Sequence, residues 1–331
     1  MVSASKLWTK VRENAPRRSC GPMTASILGT GSFTPENIVT NKSLVESSGI
    51  DTTPEWIASK TGILERRFAS PETTASDLAT EAALRALEQA GMPPDDVDLF
   101  IVATSTPDFT MPATACLVQE KLGAEGGMAF DVTNACAGFV TAFDLAARCL
   151  QTNTETAVVI GVDIGSRLVN QNDRTASVFF GDGAGAVVLS SEGGGQVLAS
   201  RVQSRGNTES LNVPVGGKMT MIGKDIWNFA TDVFPETVRY LCGKAQVPVD
   251  EIKLLVPHQA NENIIRCGAT ELGIPMERVA VNIDRFGNTI AASIPIALDE
   301  ALASGRASRG DYVMLVGFGA GLSWGGNLLR L

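Results

Sequence analysis

Residues 131–150 read DVTNACAGFVTAFDLAARCL, and this stretch decides how the rest of the chain is read. The apolar run Gly127, Met128, Ala129 and Phe130 leads into Asp131 and Val132 as a buried strand that stops at Thr133 and Asn134. Four small residues follow, Ala135, Cys136, Ala137 and Gly138. Beyond them Phe139, Val140, Phe143, Leu145, Ala146 and Leu150 recur at helical spacing. The pattern predicts a strand, a tight turn and a helix, with Cys136 at the turn. A thiol near a helix N-terminus meets unpaired N–H groups and the positive end of the dipole, which favour the thiolate. Small neighbours leave room for a substrate carbon to approach the sulfur. The plain alternative is a structural cysteine, because free Cys is a common small core residue.

Composition narrows the classes. The chain has 331 residues, 44% of them hydrophobic, enough for one large or two medium cores. A net charge of −9 and a pI near 4.8 give no basic face for nucleic acid or an anionic membrane. Six scattered cysteines, with no CxxC pair and a single histidine, His258, argue against a disulfide framework and against a metal site. No apolar run approaches the about 20 residues of a membrane span. Residues 1–22 carry Lys6, Lys10, Arg12, Arg17 and Arg18 without an apolar core, so they are not a secretory signal. They read as a flexible leader, or as residues ahead of a working start at Met23. The expected setting is the cytoplasm.

Outward from the cysteine, SILGTG at 26–31 reads as a strand, and 41–47 and 54–59 as brief helices, the second holding Trp56. A strongly amphipathic helix is predicted over 75–90, ended by Gly91, Met92 and Pro93. Residues 99–103, 157–162 and 184–189 are continuous apolar strands of the kind covered on both faces, and 113–122 is helical. The second half then repeats the first. Pro93, Asp95, Asp96, Val97, Leu99 and Ile101 have counterparts 155 positions later in Pro248, Asp250, Glu251, Ile252, Leu254 and Val256. The helix after each strand ends alike, Lys121-Leu122-Gly123 against Glu271-Leu272-Gly273. This is an internal duplication of βα units with parallel strands covered by helices. The expected division is 23–195 and 196–331, parted at the loose SSEGGGQ of 190–196.

Two residues of the second half stand where ligands collect in open α/β layers, beyond strand ends. His258 follows the apolar run Leu254 to Pro257, and Asn288 sits in the turn Phe286-Gly287-Asn288-Thr289 between a predicted strand over 279–283 and a predicted helix over 290–302. By the duplication Asn288 takes the place that Cys136 holds in the first half. A pseudo-twofold would therefore bring Cys, His and Asn together. Cys136 can carry an acyl group as a thioester. His258 and Asn288 can both donate to one thioester carbonyl, stabilising the enolate left when a carboxylate departs as CO2. Gly317-Phe318-Gly319-Ala320-Gly321 can bring backbone N–H groups to an oxyanion, or can serve tight packing alone. The loop Gly181-Asp182-Gly183-Ala184-Gly185 lacks the Lys-Ser/Thr of a phosphate loop.

NACAGF around Cys136, VPHQAN around His258, FGNTIAASIP around Asn288, GDGAGAVVL and FGAGLSWG together resemble β-ketoacyl-acyl-carrier-protein synthase III, a thiolase-fold condensing enzyme, from about Met23 to Leu331. The resemblance implies a duplicated five-layer αβαβα sandwich, a homodimer and catalysis by Cys136, His258 and Asn288. It implies no cofactor, with an acyl-CoA primer and a malonyl thioester, on acyl carrier protein or CoA, as substrates. The oxyanion hole would be the backbone of Cys136 and Ala320. Trp56 in PEWIASKTGI matches the family tryptophan that stacks on the CoA adenine, and Arg174 in NDRTAS its partner on the other face. Asn261 would support His258 and the pantetheine arm, Phe318 would contact substrate, and Met111 would reach across a dimer to cap the primer pocket.

Two departures stand out. The helix after His258, usually basic for docking the acidic carrier, reads Glu262, Asn263, Ile264, Ile265, Arg266, then Thr270 and Glu271, and Asn228 replaces another expected lysine. Lys224 is added near the CoA mouth. The carrier-docking patch is thus atypical. Acyl transfer to an oxygen, nitrogen or sulfur nucleophile is an alternative, disfavoured by retention of both His258 and Asn288. A papain-like protease lacks its CGxCW-type signature here. A non-catalytic partner subunit sits poorly with an intact triad.

Overall fold

The computed structural model describes residues 21–331, so residues 1–20 of the expected leader lie outside the described residues. Two five-stranded sheets organise the chain. From edge to edge the first runs Ser26–Phe33, Asp182–Ser190, Thr156–Ile164, Leu99–Ala103, Met128–Val132. The second runs Met23–Thr24, Gln196–Asn207, Gly321–Arg330, Tyr312–Gly319, Ile252–Pro257. Apart from the short strand Met23–Thr24, which adds one antiparallel pairing at the edge of the second sheet, both sheets run two antiparallel pairings and then a parallel one, so the duplication read from the sequence is a duplication of topology.

The copies also differ at the parallel edge. Met128–Val132 pairs along its length with Leu99–Ala103, but the strand expected over 279–283 does not form. Val279 makes a single parallel bridge to Leu255, Ala280 N donates to Leu255 O at 2.8 Å, and the chain then turns at Asn282 into the short helix Ile283–Phe286. The apolar alternation of 279–283 serves core contacts rather than a ladder: Val279 and Ile283 are buried.

Alternate residues of each apolar strand feed different cores, and this produces the layers. Leu99, Ile101 and Ala103 face a central core, with Val313 and Leu315 from the other sheet and the helices Gly138–Cys149 and Ser293–Ala303 between them. Phe100 and Val102 point the other way, against helix Ala75–Ala90 and Val118 of helix Thr114–Leu122. Met314 and Val316 likewise face out to helices Gly223–Ala245 and Glu262–Leu272. Helices and sheets therefore alternate in five layers, αβαβα. The central helices are apolar nearly all round, as a helix between two sheets must be.

Local chemistry places the helix ends. Thr74 and Asp77 form a reciprocal capping box on Ala75–Ala90, and Gly91 closes it in a left-handed conformation at φ 65°. The second central helix begins with a 3-10 turn, Ile290–Ala292, before Ser293–Ala303, and Pro295 sits in its first turn, where a missing N–H costs little. Among the described residues no helix is long and apolar enough to cross a membrane.

Candidate active site

The turn predicted at the cysteine is a sharp elbow. Ala135 takes a left-handed φ of 44°, Ala135–Ala137 form one 3-10 turn, and helix Gly138–Cys149 follows. Cys136 is 6% exposed. The small residues around it are required by close approach: a Cβ on Gly319 would stand 2.7 Å from the Cys136 Cβ and 3.1 Å from its sulfur. Burial, and then the neighbouring Asp163 carboxylate, push the thiol up to about 12. Burial thus opposes the thiolate that the helix end favours.

His258 continues the strand Ile252–Pro257, its N–H donating to Val316 O at 2.8 Å. The ring is 1% exposed and sits edge-on to Phe318 at 5.6 Å, which itself stacks on Phe234 at 6.0 Å. Burial lowers its pKa to about 3, so the imidazole is neutral at ordinary pH and donates through one nitrogen only. Gln259 pins the loop beyond, donating to Pro257 O and Ala280 O and accepting from Asn282 N.

Asn288 is fixed at backbone and side chain. Its N–H donates to Phe179 O at 2.8 Å, its carbonyl accepts from Gly181 N at 3.0 Å, and its Oδ1 accepts from Ile290 N at 2.9 Å. Committing Oδ1 leaves Nδ2 as the free donor. Its place in the duplication differs from the sequence reading. Ile290, at φ 52°, matches Ala135 at the same 155-residue offset, so the counterpart of Cys136 is Ala291 and that of Asn288 is Thr133.

One cavity gathers the three candidates: Cys136, His258 and Asn288 line it with Asn261, Phe318 and Gly319. Cys136 also stands on the wall of a second cavity, bounded by Leu168, Leu211, Val213, Met219 and Ala320. The thiol thus faces two spaces at once.

The outer residues are placed as follows. Arg174 lies over the Trp56 ring, its Cζ 5.4 Å from the centroid, and its Nη1 donates to Asp51 O, so these two are brought together. Lys224 is exposed in the first turn of Gly223–Ala245, next to Gly223 on the cavity wall. Met111 is 80% exposed and lines neither cavity. Asn261 lines the cavity, but its hydrogen bonds do not go to His258. Its Oδ1 caps helix Glu262–Leu272 at Asn263 N, and its Nδ2 donates to Lys60 O, beside a matching bond from Asn263, tying the Trp56 helix Pro54–Thr61 to the histidine loop. In the 181–185 loop the Asp182 carboxylate is turned inward, accepting from Ala69 N, Ser166 N and Ser166 Oγ. Asp163 escaped the sequence reading; its one visible signal was a charge closing the apolar run VVIGVDI.

An αβαβα duplication with a cysteine elbow in one half and a histidine and an asparagine supplied by the other defines the thiolase-fold condensing enzymes. The family models for 3-oxoacyl-[acyl-carrier-protein] synthase III and for its C-terminal part match residues 130–206 and 242–331. The chain is 42% identical over 323 residues to β-ketoacyl-[acyl-carrier-protein] synthase III of Clostridioides difficile, covering 92% of this chain and 98% of that protein. The crystal structure of 3-oxoacyl-[acyl-carrier-protein] synthase III from Aquifex aeolicus superposes with a TM-score of 0.90 at 44% identity, covering 93% and 100% of the two chains. The priming β-ketosynthase of a polyketide biosynthetic pathway superposes at 0.87 with 33% identity, covering 96% and 99%. The chain belongs to the 3-oxoacyl-[acyl-carrier-protein] synthase III family.

Proposed function

We propose that Cys136 carries the primer acyl group, and that His258 and Asn288 act on a malonyl thioester. The observation that carries this reading is the single cavity holding a buried thiol, a neutral imidazole and an amide whose oxygen is already committed. In the first half-reaction the Cys136 sulfur adds to an acyl-CoA carbonyl, and the backbone N–H groups of Cys136 and Ala320 hold the oxyanion. CoA leaves as the thiol, taking up the proton that Cys136 gives up. In the second, the malonyl carboxylate leaves as CO2, and its bonding electrons pass to an enolate whose oxygen accepts from His258 and from Asn288 Nδ2. The carbanion attacks the acyl-enzyme carbonyl, and the Cys136 sulfur leaves as a thiolate that takes one proton from solvent, giving a β-ketoacyl thioester. A neutral donor pair suits this role, because a charged imidazolium would cost far more to bury.

The primer chain occupies the second cavity, and the CoA adenine stacks between Trp56 and Arg174, with Lys224, Asn261 and Phe318 along the arm. The domain reading into halves 23–195 and 196–331 assigns the nucleophile to one half and the donors to the other. A homodimer is favoured by the edge strand Met128–Val132, which pairs on one side only. The loop with exposed Phe109 and Met111 leads into helix Thr114–Leu122, whose first amides are held by Asp131 of that strand, so Met111 lies near this edge to cap a second copy's primer pocket. On the helix after His258, Arg266 pairs with Glu262, while Arg239 pairs with Glu271. These pairings leave little basic charge for an acidic carrier, which favours CoA or a dedicated carrier as the malonyl bearer. The free cysteines among the described residues suit the reducing cytoplasm.

CO2 release from malonyl-CoA and from malonyl-carrier protein, in wild type, His258→Ala and Asn288→Ala, tests the assignment. Loss of about 100-fold in either variant is expected; release at the wild-type rate in both would remove these residues from the reaction.

A further inference from the structure

Asp163 lies near the end of strand Thr156–Ile164 with a wholly buried side chain that raises the Cys136 thiol pKa but takes no direct part in the chemistry above. Its Oδ1 accepts from Ser105 N at 2.7 Å, Thr106 Oγ1 at 3.2 Å and Thr104 Oγ1 at 3.4 Å, and its Oδ2 accepts from Ala291 N at 3.0 Å. No cation pairs with it among the described residues. A buried carboxylate surrounded only by donors persists where those donors need an acceptor.

Ala291 N belongs to the second elbow. The preceding amide, Ile290 N, goes to Asn288 Oδ1. Successive amides of one helix start therefore hold the oxygens of Asn288 and Asp163. The approach is close: a Cβ on Gly161, two residues before Asp163, would stand 2.3 Å from Ala291 O. By strand register, with Ala157 beside Leu99 and Val313 beside Leu254, the counterpart of Asp163 is Gly319, which has no side chain to offer the Cys136 elbow. One elbow has its amide filled by a carboxylate from the other half, and the other keeps its amide for an incoming oxygen.

We propose that Asp163 is a positioning residue that closes the second elbow and so aims Asn288 Nδ2 into the cavity. The inference rests on the condensing role of Asn288 given above. In Asp163→Ala the amides of Ser105 and Ala291 lose their acceptor, and the turn that sets Asn288 loosens. Asp163→Asn keeps the volume and one acceptor, and serves if the alanine variant does not fold.

The test compares half-reactions in the full chain. Acylation of Cys136 by acetyl-CoA, followed by intact mass, is expected to hold or to rise, because losing the carboxylate beside Cys136 makes its thiol easier to ionise. CO2 release from malonyl-CoA is expected to fall about 100-fold in Asp163→Ala, and less in Asp163→Asn. Equal losses in both half-reactions, or a loss in neither, would overturn the proposal. A crystal structure of either variant reads the claim without activity: Asn288 turned from its present rotamer supports it, and an unmoved Asn288 contradicts it. Should the wild type release no CO2, the condensing reading falls, and the structure alone still decides whether Asp163 aims Asn288.

Discussion

Ala135 and Ile290 stand 155 positions apart, and both hold a left-handed backbone, at φ 44° and 52°, one residue before the helix-start amides of Cys136 and Ala291. Neither is glycine, and Ile290 is β-branched, the least tolerant class for this region. Strain of about 1–3 kcal/mol per site is expected there.

The two sites should answer differently to glycine. Ala135→Gly relieves the backbone and loses one methyl, so its stability should stay within about 1 kcal/mol of wild type. Ile290→Gly gains the same relief but deletes a buried side chain worth about 2–5 kcal/mol, so it should be the less stable by about 1–3 kcal/mol. Urea unfolding measures both. A more stable Ile290→Gly would mean that its side chain packs against nothing of consequence.

The thiol depends on a missing Cβ. In Gly319→Ala the new methyl would overlap Cys136, 2.7 Å from its Cβ. The sulfur must move, and a misplacement of about 1 Å costs about 100-fold in rate. Acylation by acyl-CoA should fall by that order while the melting temperature drops only a few degrees. Acylation at the wild-type rate would show that the elbow adjusts freely.

Two buried groups give stability opposite slopes with pH. Burial holds His258 at about 3 against its ordinary 6.5, so between these values only the unfolded chain takes the proton, and its contribution, whole above 6.5, is lost as pH falls toward 3. Burial raises Asp163 from 3.8 to about 7, so the folded chain keeps its proton longer, and that contribution, whole below 3.8, is lost as pH rises through 7. Asp163→Asn removes the second slope. The melting temperature of this variant should therefore climb more steeply than that of wild type between about pH 4 and 6.5. Parallel curves would mean that Asp163 titrates normally in the folded protein.

Much of this was legible in the sequence because the signals were local. Leu99–Ala103 is an unbroken apolar run and forms a strand with those bounds, and Ala75–Ala90 carries its cap at Thr74 and its stop at Gly91. The cysteine elbow was visible as four small residues between a strand and an amphipathic run. What failed depended on partners far along the chain. Residues 279–283 alternate like a strand, but the neighbouring ladder ends after one rung, and the chain turns to deliver Asn288. The sequence pattern aligns Asn288 with Cys136 because each follows an apolar run and a turn, whereas the positive φ shared by Ala135 and Ile290 aligns Cys136 with Ala291. Asp163 carries no local signal beyond a charge near the end of an apolar run, and its acceptor role needs an amide 128 positions away.

The measurement that bears most directly on the central claim is intact-mass spectrometry of wild type and Cys136→Ala, mixed with a panel of acyl-CoAs and then chased with malonyl-CoA or malonyl-carrier protein. The account predicts one acyl adduct on the wild type, none on Cys136→Ala, and discharge of the adduct by a malonyl donor with release of CO2 and a β-ketoacyl thioester. An adduct that persists through the malonyl chase but is removed by an alcohol or amine would contradict condensation and identify an acyltransferase.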